Sequence, residues 1–263
     1  MKNQENMTKK LKSKKFLGTS FVLILCISLF VSIANLLSTF VVYASLNKYS
    51  VKISEQEVSL YFLSTSKSKI KNEIDTISLD FQKDTCAGFT WKKGNYYYSI
   101  ASVYENENDA HLVQNNLKTN GYKCEVFKIT FDTISMNGDF SNNEKNILTN
   151  SLSIFTETYK KLYDSSISLD TTVTNETSTK LAINEIYSDF TTVFSNFNTI
   201  FSENNNKNFE IIKNGLKKAN QCLSNLSTQN YVSKEQSYSS LIKYRYVEIL
   251  EIYYNLINEI NNL

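Results

Sequence analysis

The stretch Tyr96-Tyr97-Tyr98-Ser99-Ile100-Ala101-Ser102-Val103-Tyr104, followed by Glu107-Asn108-Asp109-Ala110 and Leu117-Lys118-Thr119-Asn120-Gly121-Tyr122, decides the fold. Its first part is aromatic and β-branched, the composition of a strand that packs on a pleated surface. Asn106 then begins a helix whose Ala110, Val113 and Leu117 recur at helical spacing. Gly121 stands where a helix ends on a left-handed residue. Working backwards, Lys92-Lys93-Gly94-Asn95 is a hairpin turn and Phe89-Thr90-Trp91 the strand before it. Ile70, Ile74, Ile77 and Phe81 form the buried stripe of an earlier helix, and Val58 to Leu63 a first strand. Forwards, Tyr122 to Phe131 supplies a fourth strand. The order is βαββαβ over residues 58–131, a ferredoxin-like split βαβ plan in an α+β chain.

In that plan one face of the sheet packs on both helices and the other is open, with the second and fourth strands at opposite edges. Alternation along a strand then sorts the side chains. It turns Leu60, Phe62, Tyr98 and Ile100 toward the helices, and Tyr61, Leu63, Tyr97, Ser99 and Ala101 outward. An outward face bearing Tyr61 and Tyr97, with Trp91, Phe127 and a rim Ser64, reads as a sugar platform. Aromatic rings pack on the C–H faces of pyranoses while hydroxyls hold their polar groups. The same aromatic face serves equally as a surface for the C-terminal region to bury.

The pattern resembles a SPOR domain, the sporulation-related repeat. The likeness lies in the aromatic strand 96–104, the acidic helix start Glu107-Asn108-Asp109-Ala110, and the leucine before Gly121-Tyr122. Leu60-Tyr61-Phe62-Leu63-Ser64-Thr65-Ser66 and Phe89-Thr90-Trp91 echo it in the first half. Ser and Ala stand where the family commonly has a turn glycine, and Tyr61 where it often has Gln. The resemblance implies binding to peptidoglycan glycan strands stripped of stem peptides, at division or sporulation septa. It also implies the outward sheet face as the site, with Tyr61, Ser64, Trp91, Tyr97 and Ser99 as glycan-binding residues. No cofactor or metal is implied.

Ahead of this unit, Lys9, Lys10, Lys12, Lys14 and Lys15 lead into a run without charge from Phe16 to Asn47. The run exceeds the ~20 apolar residues that span a bilayer, and the lysines keep its start in the cytoplasm. A cleavable signal ending near Val42-Tyr43-Ala44 is the competing reading, but the apolar segment is longer than such signals carry. The expected organisation is a basic cytoplasmic tail (1–15), a transmembrane anchor (16–44), a tether (45–57), the SPOR-like domain (58–131) and a linker (132–140). An all-α antiparallel bundle follows (141–263). The net charge of +2 hides an asymmetry. Residues 1–15 hold six of the 28 basic residues and one of the 26 acidic, so the remainder carries −3. A slightly acidic body has no electrostatic footprint for nucleic acid.

In the bundle, Ser141-x-x-Glu144 is a capping box, followed by Leu148, Leu152, Phe155, Tyr159 and Leu162. Asp164 to Thr177 is Ser/Thr-rich and reads as a loop. Ile183 to Ile200 and Phe209 to Leu223 give two further stripes, separated by Asn204-Asn205-Asn206. Ser233-x-x-Gln236 caps a fourth helix carrying Leu241, Tyr244, Ile249, Tyr253, Leu256 and Ile260. Glu157, Glu185, Glu248 and Glu251 read as a solvated face and His111 as a surface residue. Cys86, Cys124 and Cys222 read as small buried apolar residues. With no motif for a zinc site, a triad or a carboxylate pair, the expected protein is not an enzyme. It is a single-pass, extracytoplasmic glycan binder, or else a protein-binding scaffold working through the bundle.

Overall fold

The computed structural model describes residues 57–83, 85–134, 136, 140–203, 206–228 and 237–263. They belong to one compact unit, Val51–Leu263. The expected anchor over 16–44 lies outside the described residues. Among those described, no helix is long and apolar enough to cross a membrane.

The order is β1 (Val58–Ser68), α1 (Lys71–Lys83), β2 (Phe89–Lys93), β3 (Tyr96–Tyr104), α2 (Glu107–Thr119) and β4 (Glu125–Phe131). The sheet runs β2-β3-β1-β4 with every neighbouring pair antiparallel. This is a mixed α+β chain: a four-stranded antiparallel sheet followed by helices. β1 outlasts its expected end by five residues, through two register irregularities at Leu63/Ser64 and Ser64/Ser66. β4 starts at Glu125, because α2 ends in a Schellman turn. The Tyr122 amide donates to the Leu117 carbonyl and the Gly121 amide to that of Lys118, with Gly121 at φ 86°. Gly88 (φ 58°) has a different task. A Cβ there would collide with the Ser78 carbonyl oxygen, so glycine lets the chain leaving α1 lie against it.

Four helices complete the chain: α3 (Asn142–Asp170), α4 (Glu176–Phe201), α5 (Lys207–Thr228) and α6 (Tyr238–Asn261). Each packs on the next, and α6 closes the ring against α3. The capping box opens α3 as its sequence suggests, Glu144 reaching back to the Ser141 amide at 2.8 Å. The presumed loop from Asp164 is helix as far as Asp170. Ser165 and Ser166 turn their hydroxyls onto the carbonyls of Lys161 and Tyr163, both at 2.7 Å, so polar composition costs the helix little. The loop is only 171–175, ended by Asn175 as the N-cap of α4. Ser237 caps α6, in place of the proposed Ser233 outside the described residues.

Fourteen of the 24 residues of α6 are buried, too many for a surface helix with one apolar stripe. One side meets α3 and α5, where Tyr253 stacks on Phe155 at 5.1 Å. The other side meets the sheet. Tyr244 contacts Phe89 at 5.0 Å, Tyr254 contacts Trp91 at 5.8 Å, and Phe131 lies between Tyr253 and Tyr254 at 5.9 and 5.7 Å. The largest core cluster is therefore continuous from Leu60, Phe62 and Trp91 to the bundle centre. Ile134 and Met136, in the expected linker, belong to the same core.

This arrangement corrects the expected sheet faces. Leu60, Phe62 and Ile100 belong to the core shared with α6, and half-buried Tyr98 packs against it. On the side of α1, the Ser78 hydroxyl donates to that of Ser99 at 2.9 Å and lies 3.3 Å from Thr90. Ile74, Ala101, Ala110 and Leu63 are buried outside the large cluster. The face expected to be open is the one under the helices, and the opposite face is covered by α6.

Candidate functional site

The five residues assigned to glycan binding do not converge. Trp91 is 1% exposed, its ring 4.7 Å from that of Phe62. Ser99 is buried against Ser78, and Ser64 is buried with its hydroxyl donating to the Ser66 carbonyl at 2.9 Å. These three are corrected from outward-facing to buried. Trp91 and Ser99 are met by side chains of neighbouring elements, whereas Ser64 is satisfied within its own strand. Tyr61 and Tyr97 are half-buried. Tyr61 sits in register between Tyr104 and Lys128, while Tyr97 lies beneath the Lys92 ammonium, 6.0 Å from its ring centre.

Three openings touch these residues. The first is a crevice of about 360 Å³ at one end of the α6-covered face, where Trp91 and Tyr254 meet Lys92, Lys93 and Lys128. Lys93 donates to the Lys128 carbonyl at 3.1 Å and lies 4.5 Å from the Phe127 ring centre. Loss of water holds the Lys93 ammonium below its ordinary pKa, and the nearby charge of Glu125 offsets this only in part. The second, about 620 Å³, lies between α1, β2 and α6 and is lined by Lys71, Asp75, Tyr97, Tyr244, Glu248 and Glu251. The third, at the irregular part of β1, holds Ser64, Lys67, Lys123 and Glu125.

Electrostatics in the second opening separate its carboxylates. The hydrogen bond from Lys71, at 2.7 Å, lowers the pKa of Asp75. Burial, with the charge of Glu248 adding to it, pushes Glu251 up to about 6. Glu248 accepts from Arg245 at 2.6 Å and from the Cys222 thiol at 3.1 Å. Glu248 and Glu251 are thus half-buried rather than on a solvated face. Burial pushes the Cys222 thiol well up, which makes it a poor nucleophile. Cys86 and Cys124 are half-buried and Cys222 is buried, and His111 is exposed beside Glu107. Among the described residues no group of three or more His, Cys, Asp or Glu side chains is arranged to hold a metal ion.

Sequence reasoning missed Tyr254, Lys93 and Lys128. The signal was present: Lys92-Lys93 at a hairpin tip beside a tryptophan, and tyrosines spread around more than one side of the last helix. Comparison with protein families, curated proteins and solved structures finds no match.

Proposed function

We propose that the chain is a membrane-anchored, extracytoplasmic protein that holds peptide-stripped peptidoglycan strands during division or sporulation. Contact is made at the rim of its SPOR-like sheet rather than across the broad face. The observation that carries this reading is the βαββαβ order with the sheet order β2-β3-β1-β4, in the segment that bears the SPOR-like residue pattern. The uncharged run from Phe16 to Asn47 behind a lysine-rich start supports the anchor and its orientation. The test is retention of the full chain, in detergent, by purified peptidoglycan, untreated and amidase-stripped in parallel. Retention that rises on stripping supports the reading, and retention by neither overturns it.

A second reading is favoured by α6 lying across the sheet's aromatic face. In it the sheet is an internal docking surface, and the sheet and bundle together form a protein-binding scaffold that takes no glycan. A defined oligomer or stable protein complex of the full chain in light scattering, without glycan retention, supports this alternative.

A further inference from the structure

We infer that a trough crossing from the sheet to the bundle, along the outer strip of α6, binds an extended sugar strand that bears amide groups. The inference rests on the glycan reading above and deepens it, placing the strand and naming the groups by which it is recognised.

Continuity is the first argument. The opening between α1, β2 and α6 holds about 620 Å³ and is lined on the α6 side by Tyr244, Glu248 and Glu251. A groove of about 400 Å³ between α5 and α6 shares Glu248 and Glu251 with it. In the groove Lys218, Gln221 and Asn225 of α5 stand opposite Asn255 and Glu259 of α6, each set at the spacing of one helix face. Gly215 forms part of the floor. A Cβ there would strike the Leu256 side chain, so glycine lets the two helices meet closely beneath the groove. The Cys222 thiol donates to Glu248 across the same seam at 3.1 Å. From Tyr244 to Glu259 the strip runs roughly 22 Å along the helix, a shape for a chain rather than for a compact ligand.

Charge and hydrogen-bonding capacity indicate the class of ligand. Lys71 is paired with Asp75 at 2.7 Å and Arg245 with Glu248 at 2.6 Å. Of the other charged lining residues, Lys92 and Lys218 are balanced by Glu251 and Glu259. The trough therefore exerts little net field, and its ligand is held by hydrogen bonds and ring contacts rather than by charge. Asn214, Gln221, Asn225 and Asn255 each offer a donor and an acceptor, the complement of an acetamido group. Glu251 is half-buried, and Glu248 and Lys71 act on it only through space, so its carboxyl oxygens are open to a sugar hydroxyl. At the sheet end the half-buried rings of Tyr97 and Tyr244 supply apolar surface for the C–H face of a pyranose. An extended peptide carries amides but has no such face.

The test uses the full chain in detergent with an N-acetylglucosamine hexamer and dimer, a glucose hexamer of the same linkage, a free stem peptide and amidase-stripped peptidoglycan. The N-acetylated hexamer is expected to bind about ten-fold more tightly than either the glucose hexamer or the dimer, with little change as salt rises. The exposed double variant Gln221→Ala/Asn255→Ala, in the bundle, should weaken the hexamer about ten-fold. Tyr97→Leu, at the sheet end, should weaken it about five-fold. Glu251→Gln, where the two openings meet, provides an independent single change with a loss in the same direction. Asn115→Ala/Asn116→Ala, exposed on α2 and outside the trough, should leave binding unchanged. An unshifted thermal midpoint shows that the variants are folded. Equal binding of the two hexamers overturns the inference, as does equal binding of hexamer and dimer. Tighter binding of the stem peptide or an undiminished Gln221→Ala/Asn255→Ala also overturns it. Stripped peptidoglycan retained equally by parent and that double variant overturns the trough and leaves the wall reading standing. Hexamer bound through the trough without peptidoglycan retention does the reverse.

Discussion

The two faces of the sheet are closed by different chemistry. Toward α1 and α2 the contacts are small and partly polar: Ser78 with Ser99 and Thr90, and Ile74, Ala101 and Ala110 buried nearby. Toward α6 they are aromatic, with Phe89, Trp91 and Phe131 set against Tyr244, Tyr253 and Tyr254. The helices of the βαββαβ unit present little surface able to cover large rings. The rings therefore face the element that can, the last helix of the bundle. The sheet's largest buried rings share one core with the bundle, so sheet and bundle should show one unfolding transition.

The strongest attack on that comparison is Trp91→Ala. Removing a ring buried between Phe62 and Tyr254 is expected to cost about 3–5 kcal/mol. It should lower the denaturation midpoints followed by tyrosine fluorescence and by helical circular dichroism together. Two separated transitions in the parent protein would break the coupling. Next comes Gly88→Ala, at about 2–3 kcal/mol, since the residue has positive φ and its Cβ would meet a backbone carbonyl of α1. Lys243→Met removes the buried ammonium that pairs with the Asp170 carboxylate and donates to the Thr85 carbonyl at 2.8 Å. A loss of about 2 kcal/mol is expected in urea titration. On the other face, Ser99→Ala removes one hydroxyl contact and should cost about 1 kcal/mol. A loss equal to that of Trp91→Ala would erase the asymmetry.

The smallest effect concerns pH. Glu251 has its folded pKa raised to about 6 from 4.5, so between those values the folded chain binds more protons than the unfolded one. Stability then rises as pH falls from about 7 to about 4.5, with Glu248 and Lys71 the charges that act on the group. Discounted for solvent screening, the gain is about 1 kcal/mol. Glu251→Gln should remove that part of the pH profile, checked by denaturation at pH 7 and pH 5.

The order of elements was legible because each signal is local. Ile74, Ile77 and Phe81 repeat with helical period, though Ile70, expected in the same stripe, is exposed ahead of the helix; Gly94 and Gly121 mark turns, and Ser141 with Glu144 closes a capping box. The orientation of the sheet was not, because alternation assigns residues to two sides without saying which partner covers each. The irregularities at Leu63–Ser66 also break the alternation along β1 itself. The clue lay in which residues are buried: the rings of Phe62, Trp91 and Phe131 on one side, and Leu63, Ser99 and Ala101 on the other, where Tyr61 and Tyr97 stay half-buried. Of the expected glycan residues, Trp91, Tyr97 and Ser64 line openings that remain, each a different one. What joins Lys93 to Lys128 is a hydrogen bond from the ammonium of one to the carbonyl of the other, between strands at opposite edges of the sheet, a long-range fact that no local pattern encodes.

The placement of α6 also sets a timetable. The Ser240 hydroxyl meets the Gln82 carbonyl across 158 residues of chain, and the aromatic contacts along the same seam span comparable distances. During synthesis the strands are complete well before the helix that covers their rings. Loops of this length close slowly. In the interval the nascent protein carries an uncovered aromatic surface, the kind of surface through which unfinished chains aggregate. A chain stopped before Tyr238 keeps that surface permanently, so truncated products should be preferred clients of chaperones and proteases over the completed protein.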